Sequence, residues 1–349
     1  MNNFKTIYKE KSLVVEVYSI SQLFEITLAD FVKLKGQSID QFSVNQHIEK
    51  KHVVVIGGGM SAEREVSYMS SNGIVRSIIE LGHHVTFVDM GVDIALVLTK
   101  LKPDVVYNAL HGTYGEDGCL PGLLNIMHIP YTGPGVLASA IAFNKKKSCE
   151  IFKATGIKIP ESKVIKRTDH YVVDPIKRPY VIKPLSQGSS VGVEIIFDED
   201  DFSFAEYDFP YGDEVLVEQY IKGREMQIAV LNGRAIGVLE IKLLKDKRFY
   251  DYETKYTEGF ADHLLPAPVP LEVYDNIKRL AEKACNIFDC MGMVRVEVMY
   301  SSEDDEIYML EVNTHTGMTP LSICPEIATL ENMTYKDLVK EILEEARFE

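Results

Sequence analysis

The sequence predicts a chain of mixed class, α/β at its start and α+β beyond. Three features carry that prediction. Buried strands and amphipathic helices alternate between residues 52 and 110, the pattern of a parallel sheet. From residue 214 onward short strands follow one another across polar turns, which favours antiparallel pairing. A chain of 349 residues is also long enough for two or three domains of ordinary size. The reading divides it into an extension at 1–50, a parallel-sheet domain at 51–140, a central unit at 141–215 and a C-terminal unit at 216–349.

Taken in order, residues 1–50 give little. "LVVEVYSI" reads as a strand and "DFVKL" as part of a helix, but no motif appears and the role is unassigned. The texture changes at "KKHVVVIGGG", where a buried strand runs into glycines. "SAEREVSYMSSNGIVRSIIELG" reads as a helix with Val66, Met69, Ile74, Ile78 and Leu81 on its apolar face and Gly82 at its end. "HHVTFVD" is a second strand, "DIALVLTKL" a second helix and "DVVYNAL" a third strand. Beyond residue 140 come a helix at "KKKSCEIFKATG", then the strand pair "YVIKPL" and "VGVEII". "EVLVEQYI", "REMQIAVLN" and "RAIGVLEI" are expected to pair antiparallel. The stretch "LLKDKRFYDYETKYTEGFADHLLPAPVP" has no steady period and reads as a long functional loop. The helix "LEVYDNIKRLAEKACNIFDCMG", the strands "MVRVEVMY" and "IYMLEVN", and a terminal helix complete the chain.

Composition excludes several functions. With 46% hydrophobic and 26% charged residues the chain reads as a soluble globular protein. A formal net charge of −15 disfavours nucleic acid and anionic membranes as partners. An anionic ligand would need locally placed cations, so Lys145, Lys183, Lys255 and Arg295 draw attention. The five cysteines contain no C-x-x-C pair, which speaks against a disulfide framework or a zinc site and for a reduced cytosol. No apolar run approaches the roughly 20 residues that span a bilayer, and the charged N-terminus lacks a signal-peptide layout. The expected location is the cytoplasm.

Three sites carry chemistry. "GGGMSA" fits G-x-G-x-x-A through Gly57, Gly59 and Ala62, and Asp89 ends the next strand, where a dinucleotide fold places its ribose acid. Against that, Glu63 and Glu65 occupy the start of the helix, where carboxylates satisfy the helix dipole and would repel a pyrophosphate. Glu63 is left to bind a cation such as an amine, or simply to stabilise the helix start. "KPLSQGSSVGV", from Lys183, follows a strand with a glycine- and serine-rich loop, whose backbone N–H groups suit oxyanions. It is neither the helix-based phosphate loop nor the dinucleotide fingerprint. In "RVEVMY" and "LEVN", alternation puts Arg295 and Glu297 on one face of a strand, and Glu311 and Asn313 on one face of another. If the strands pair, two carboxylates and an amide oxygen converge, a hard-oxygen set that suits Mg²⁺.

The blocks "GGGMSAEREVS", "NALHGTYGEDG", "PYTGPGVLASA", "FNKKKS", "VIKPLSQGSSVGV", "YDYETKY", "VRVEVM" and "LEVNTHTGMT", in this order from about His52 to the C-terminus, resemble the D-alanine–D-alanine ligases. The resemblance implies an ATP-grasp fold, with a Rossmann-like first domain and two subdomains of antiparallel sheet. It implies ATP-dependent joining of two D-alanine molecules through a D-alanyl phosphate, with Mg²⁺ or Mn²⁺, two ions being expected, and a homodimer. On this resemblance Lys145, Lys183, Gly188, Ser189, Ser190 and Lys255 contact the ATP phosphates. The segment Glu218, Gln219, Tyr220 and Ile221 forms the adenine hinge, and Glu225 holds the ribose. Glu297, Glu311 and Asn313 bind metal. Glu63 anchors the first substrate's ammonium, with Ser189 and Tyr256 linked to it by hydrogen bonds, and His111 lies nearby. Arg295 and the Gly317 N–H stabilise the oxyanion, Lys255 reaches the γ-phosphate, and Ser322 meets the second substrate's carboxylate. The segment around 245–262 becomes a lid.

One departure stands out. Where the family carries an X-Pro pair before the glycine of the last block, this chain has His315–Thr316, which removes a fixed φ beside Gly317. A ligase forming D-alanyl-D-lactate is the near alternative, and Tyr256 argues against it. A nucleotide-binding relative without turnover would not need the set Glu63, Ser189, Lys255, Tyr256 and Arg295. A dinucleotide oxidoreductase requires reading residues 52–90 alone.

Overall fold

Three sheets organise the chain, which a computed structural model describes at residues 16–18, 50–169, 171, 173–186, 188, 192–244, 259–319 and 322–349. The first is parallel, in the order β1–β3–β2–β4: β1 is Glu16–Tyr18, β2 His52–Gly57, β3 His84–Asp89 and β4 Val105–Asn108. Its strands are short valine-rich runs, and Val53, Val54, Val55 and Ile56 have no exposed surface, as expected of a sheet covered on both faces. Helix α1 (Arg64–Glu80) follows β2 and α2 (Ile94–Leu101) follows β3.

The inward face of α1 differs from the apolar stripe read in the sequence. Val66, Ile74 and Ile78 are buried, but Met69 is 48% exposed. Ser67, Ser70 and Ser71 take the inward positions. Their small side chains let the helix approach the glycine turn closely: a Cβ on Gly57 would lie 2.1 Å from Ser71 Oγ. Their hydroxyls are satisfied inside, Ser67 donating to the Ala109 carbonyl at 2.7 Å and Ser71 to that of Ser67 at 2.7 Å. Two helices absent from the sequence reading, α3 (Cys119–Ile126) and α4 (Val136–Phe143), precede α5 (Lys145–Ala154).

The central sheet has the order β5–β8–β6–β7, from Ser162–Lys166, Glu214–Gln219, Tyr180–Pro184 and Glu194–Ile196, all antiparallel. Strand β8 corrects an expectation. "EVLVEQYI" does not pair with the strand that follows it but lies between β5 and β6. The chain does not reverse at Gln219; the Gln219 and Tyr220 N–H groups donate to Glu161 and Pro179 at 2.8 and 3.1 Å, which keeps the segment on the central sheet before it crosses to the next. The central sheet therefore ends at Gln219, beyond residue 215.

The third sheet runs β11–β10–β9–β12–β13, from Ala261–Leu264, Arg234–Leu243, Arg224–Leu231, Met293–Ser301 and Glu306–Asn313. Strand β11 falls inside the stretch read as an unbroken loop; it is an edge strand with a polar sequence, so its period is weak. Residues 245–258 of the expected lid lie outside the described residues. Helix α6 (Leu271–Phe288) covers one face of the sheet, with Ile277, Ala281, Ala284 and Phe288 buried. Helices α7 (Ile323–Ala328) and α8 (Tyr335–Glu344) occupy the other side, where one apolar cluster joins Val53, Ile74 and Phe87 of the first domain to Leu231, Ile327, Leu338 and Ile342. That shared core fixes the first domain against the third sheet. Among the described residues no helix is long and apolar enough to cross a membrane.

Candidate active site

The third sheet presents a row of polar side chains on one face. Register places Glu297 opposite both Glu311 and Gln227, and Arg295 opposite Asn313. Side chains alternate along a strand, so Val296, Val312 and Ile228 point the other way into the core beneath α6. Asn313 Nδ2 donates to Glu297 Oε1 at 3.3 Å, and Gln227 Nε2 donates to Glu225 Oε1 at 2.8 Å. Arg295 donates to Glu297 Oε1 and, at 2.5 Å, to Gln227 Oε1. Burial works against the Arg295 charge, but the Glu297 and Glu311 carboxylates outweigh it and hold the guanidinium well above its ordinary pKa. The sequence reading missed Gln227, although it follows Glu225 at the two-residue strand period.

An inner strand of the central sheet and the helix α5 supply cations to the site. Lys183 lies at the end of β6 and pairs with Glu218 of β8. Desolvation would lower its pKa, but Glu218, and beyond it Glu311 and Glu297, reverse the sign and keep the ammonium charged. Lys145 begins α5, with its N–H donating to the Leu185 carbonyl at 3.0 Å and its Nζ 3.7 Å from Glu311 Oε2. Gln219 ends β8 and Tyr220 and Ile221 follow it; the Tyr220 ring meets Phe197 edge-on with centroids 5.4 Å apart.

The first domain completes the site. Glu63 is the N-cap residue of α1. Its Oε2 would lie 2.7 Å from a Cβ on Gly188 and 2.6 Å from one on Gly112, so the carboxylate is threaded between two glycine backbones, one of them in the serine-rich loop. Its N–H donates to Ser61 Oγ at 3.2 Å, and Ser61 Oγ donates to the His111 carbonyl at 2.6 Å. His111 is buried, with Nε2 3.1 Å from Ser70 Oγ and Nδ1 3.6 Å from Glu116 Oε1. Ser70 Oγ also accepts from the Met318 N–H at 3.1 Å. A Cβ on Gly317 would lie 2.6 Å from Ser322 Oγ, which accepts from the Thr319 N–H at 2.9 Å. Glu63 thus meets Gly188 of the loop that follows Lys183, and His111 meets the Gly317 segment through the Ser70 oxygen it shares with Met318. Ser189, Ser190, Lys255 and Tyr256 lie outside the described residues.

The dinucleotide alternative meets a physical obstacle. Asp89 Oδ1 accepts from the Gly59 N–H at 3.2 Å and from Arg64 at 2.8 Å, while Oδ2 accepts from Arg64 at 2.5 Å and from Tyr68 at 3.0 Å. A Cβ on Gly58 would lie 2.3 Å from Asp89 Oδ1. The chain fills this glycine turn with its own carboxylate and guanidinium, so the acid expected to meet a ribose is already bonded.

For a metal, the donor set is suitable. Among the described residues there is no group of three His, Cys, Asp or Glu side chains that could hold an ion. Mg²⁺ needs only one or two protein carboxylates, with phosphate and water completing its shell. Glu297 and Glu311 are register partners across β12 and β13, and Asn313, bonded to Glu297 through Nδ2, carries an amide oxygen beside them.

A parallel-sheet domain joined to two antiparallel sheets that close over a cleft of cations and acids is the architecture of the ATP-grasp enzymes. Residues 151–344 match the family model of the D-ala D-ala ligase C-terminus, and residues 93–134 match that of its N-terminus. A D-alanine–D-alanine ligase of Rickettsia bellii (strain OSU 85-389) is 60% identical over 300 residues, 86% of this chain and 93% of that protein. One from Rickettsia canadensis (strain McKiel) is 59% identical over 300 residues, 86% of this chain and 84% of the relative. The crystal structure of the Bacillus anthracis ligase superposes with a TM-score of 0.74 at 30% identity, covering 84% of this chain and 96% of that one. The same enzyme complexed with ATP gives 0.74 at 29%, with 85% and 97% covered. The chain belongs to the D-alanine–D-alanine ligase family.

Proposed function

We propose that this chain ligates two D-alanine molecules at the expense of ATP, yielding D-alanyl-D-alanine, ADP and phosphate for peptidoglycan precursors in the cytoplasm. The observation that carries this reading is the position of Glu63, a carboxylate from the first domain seated against Gly188 of the phosphate loop. A small zwitterion anchored there by its ammonium would hold its own carboxylate beside the terminal phosphate of ATP.

Phosphoryl transfer depends on positioning and charge neutralisation more than on covalent help from the protein. Lys183 and Lys145 take the phosphates, with Lys255 at the γ-position and Ser189 and Ser190 in the loop over them. Gln219, Tyr220 and Ile221, after Glu218, line the adenine, and Glu225 takes the ribose. A Mg²⁺ held by Glu297, Glu311 and Asn313 neutralises charge on the phosphates when bound. The first carboxylate attacks the γ-phosphorus, the bridging P–O bond breaks to release ADP, and an acyl phosphate forms. The amine of a second D-alanine, held through its carboxylate by Ser322, attacks the acyl carbon; Arg295 with the Gly317 N–H stabilises the resulting oxyanion, which loses the amine proton and expels phosphate to leave the amide. Ser189 and Tyr256 link to Glu63, and His111 shapes the first substrate's pocket. On this reading residues 245–262 serve as the lid that excludes water from the acyl phosphate. The assembly is a homodimer, which light scattering checks.

The test is ADP release with D-alanine, D-lactate and L-alanine as separate acceptors, with the product identified by mass. D-alanyl-D-alanine is the expected product; ADP with D-alanyl-D-lactate favours the depsipeptide alternative, and absence of both sinks the reading. Glu297→Gln is expected to lower turnover about 10²-fold and to raise the Mg²⁺ concentration for half-maximal rate. Unchanged kinetics at limiting and saturating Mg²⁺ would count against the metal site.

A further inference from the structure

The segment Thr314–Met318 between β13 and α7 contains Gly317, yet it belongs to no helix or strand. Two contacts tie it to the first domain. His315 Nε2 lies 3.1 Å from Asn108 Nδ2, at the end of β4. The Asn108 amide has only one sensible orientation there, because Oδ1 accepts from the Leu110 N–H at 3.1 Å and Nδ2 donates to the Gly115 carbonyl at 3.1 Å. The imidazole Nε2 is therefore an acceptor. The ring rests on the bare backbone of Gly133, where a Cβ would lie 2.7 Å from Cε1. Three residues later the Met318 N–H donates to Ser70 Oγ at 3.1 Å, the same oxygen that meets His111 Nε2.

Gly317 is thus bracketed by anchors on β4 and α1, the elements that also lead into His111 and start from Glu63.

We propose that His315 is a positioning residue: by accepting from Asn108 it fixes the backbone of Gly317 relative to the first-substrate pocket, the task a proline at position 316 would perform by restricting φ. The inference rests on the ligase reading, in which the Gly317 N–H meets the oxyanion. Displacing such a donor by a fraction of its bond length affects the transition state more than ground-state nucleotide binding.

The experiment is steady-state kinetics of dipeptide formation by the full chain carrying His315→Leu, His315→Asn or His315→Gln, each with Thr316 retained or replaced by proline. Leucine removes the acceptor and asparagine is too short to reach Asn108; both are expected to lower kcat about tenfold with the KM for ATP within twofold of the parent. Glutamine, which can place an oxygen near the Nε2 position, is expected to recover to within about threefold. Thr316→Pro is expected to change the parent less than twofold but to rescue His315→Asn severalfold. The inference is overturned if His315→Asn turns over like the parent, if glutamine is as slow as asparagine, or if proline gives no rescue. A parent enzyme that forms no dipeptide sinks the ligase reading itself, a result separate from any ranking among the variants.

Discussion

Two glycine-rich turns follow buried strands in this chain, and they have opposite surroundings. The turn at Gly57–Gly59 is occupied by the protein itself: Asp89 accepts from a turn N–H, from Arg64 and from Tyr68. The turn after Lys183 has Gly188 against the carboxylate of Glu63, with Lys183 paired to Glu218 and Lys145 beside Glu311 of the third sheet. Glycine spacing reports only that something approaches the backbone closely. What approaches is decided by charges that come from elsewhere in the sequence.

The strongest way to break this contrast is at the second turn. Lys183→Met is expected to lower kcat/KM for ATP by 10²-fold or more, on the order expected for losing a phosphate-stabilising group. It also strands the buried Glu218 carboxylate at a cost of about 3 kcal/mol. The double change with Glu218→Gln should restore most of that stability in a denaturant titration but none of the activity. Recovery of activity along with stability would mean that Lys183 is only a structural partner.

At the first turn the loss should be one of stability alone. Asp89→Asn weakens the bonds from Arg64 and Gly59, and about 2 kcal/mol is expected, with the KM for ATP unchanged and no binding of NAD(H) by fluorescence titration. Bound NAD(H) would return the turn to the dinucleotide class.

The smallest effect concerns the foundation of the second turn. Asp174 accepts from Arg178 Nε at 2.7 Å and from Tyr180 Oη at 2.7 Å, just before and at the start of β6, the strand that carries Lys183. Burial pushes the Asp174 pKa up, but the bonds from Arg178 and Tyr180 outweigh it and bring it below the ordinary value of 3.8. A depressed carboxyl pKa stabilises the native state above the unfolded value and loses that contribution as pH falls through the native one. Asp174→Asn should therefore cost about 1 kcal/mol at pH 7, and the gap to the parent should close below about pH 4. A gap independent of pH would assign the effect to packing.

The sequence displayed some of this better than the rest. The shared face of Glu297 and Glu311 followed from two-residue alternation once the strands were taken to pair, because polar and apolar side chains alternate along both. The opening strand–helix alternation was equally plain. Helix α4 was not: "VLASAIAF" is apolar nearly throughout and has no periodic contrast. Helix α3 contains Pro121 and Gly122, which read as a break. The sheet membership of β8 has no local signal, since strand order depends on pairing with residues 162–166 and 180–184. Asn108 and Ser70 escaped notice because their partners, His315 and Met318, are more than 200 positions away. The clamp on Asp89 has no local signal either, since Arg64 and Tyr68 lie 25 and 21 positions before it.

The polar row on the third sheet has a consequence for anyone substituting within it. Glu225, Gln227, Arg295, Glu297 and Asn313 are linked side by side, each bonded to the next across three strands. Removing one member releases its neighbours, so penalties measured singly will overlap and their sum will overstate the cost of removing several together. The row behaves as one component with many handles.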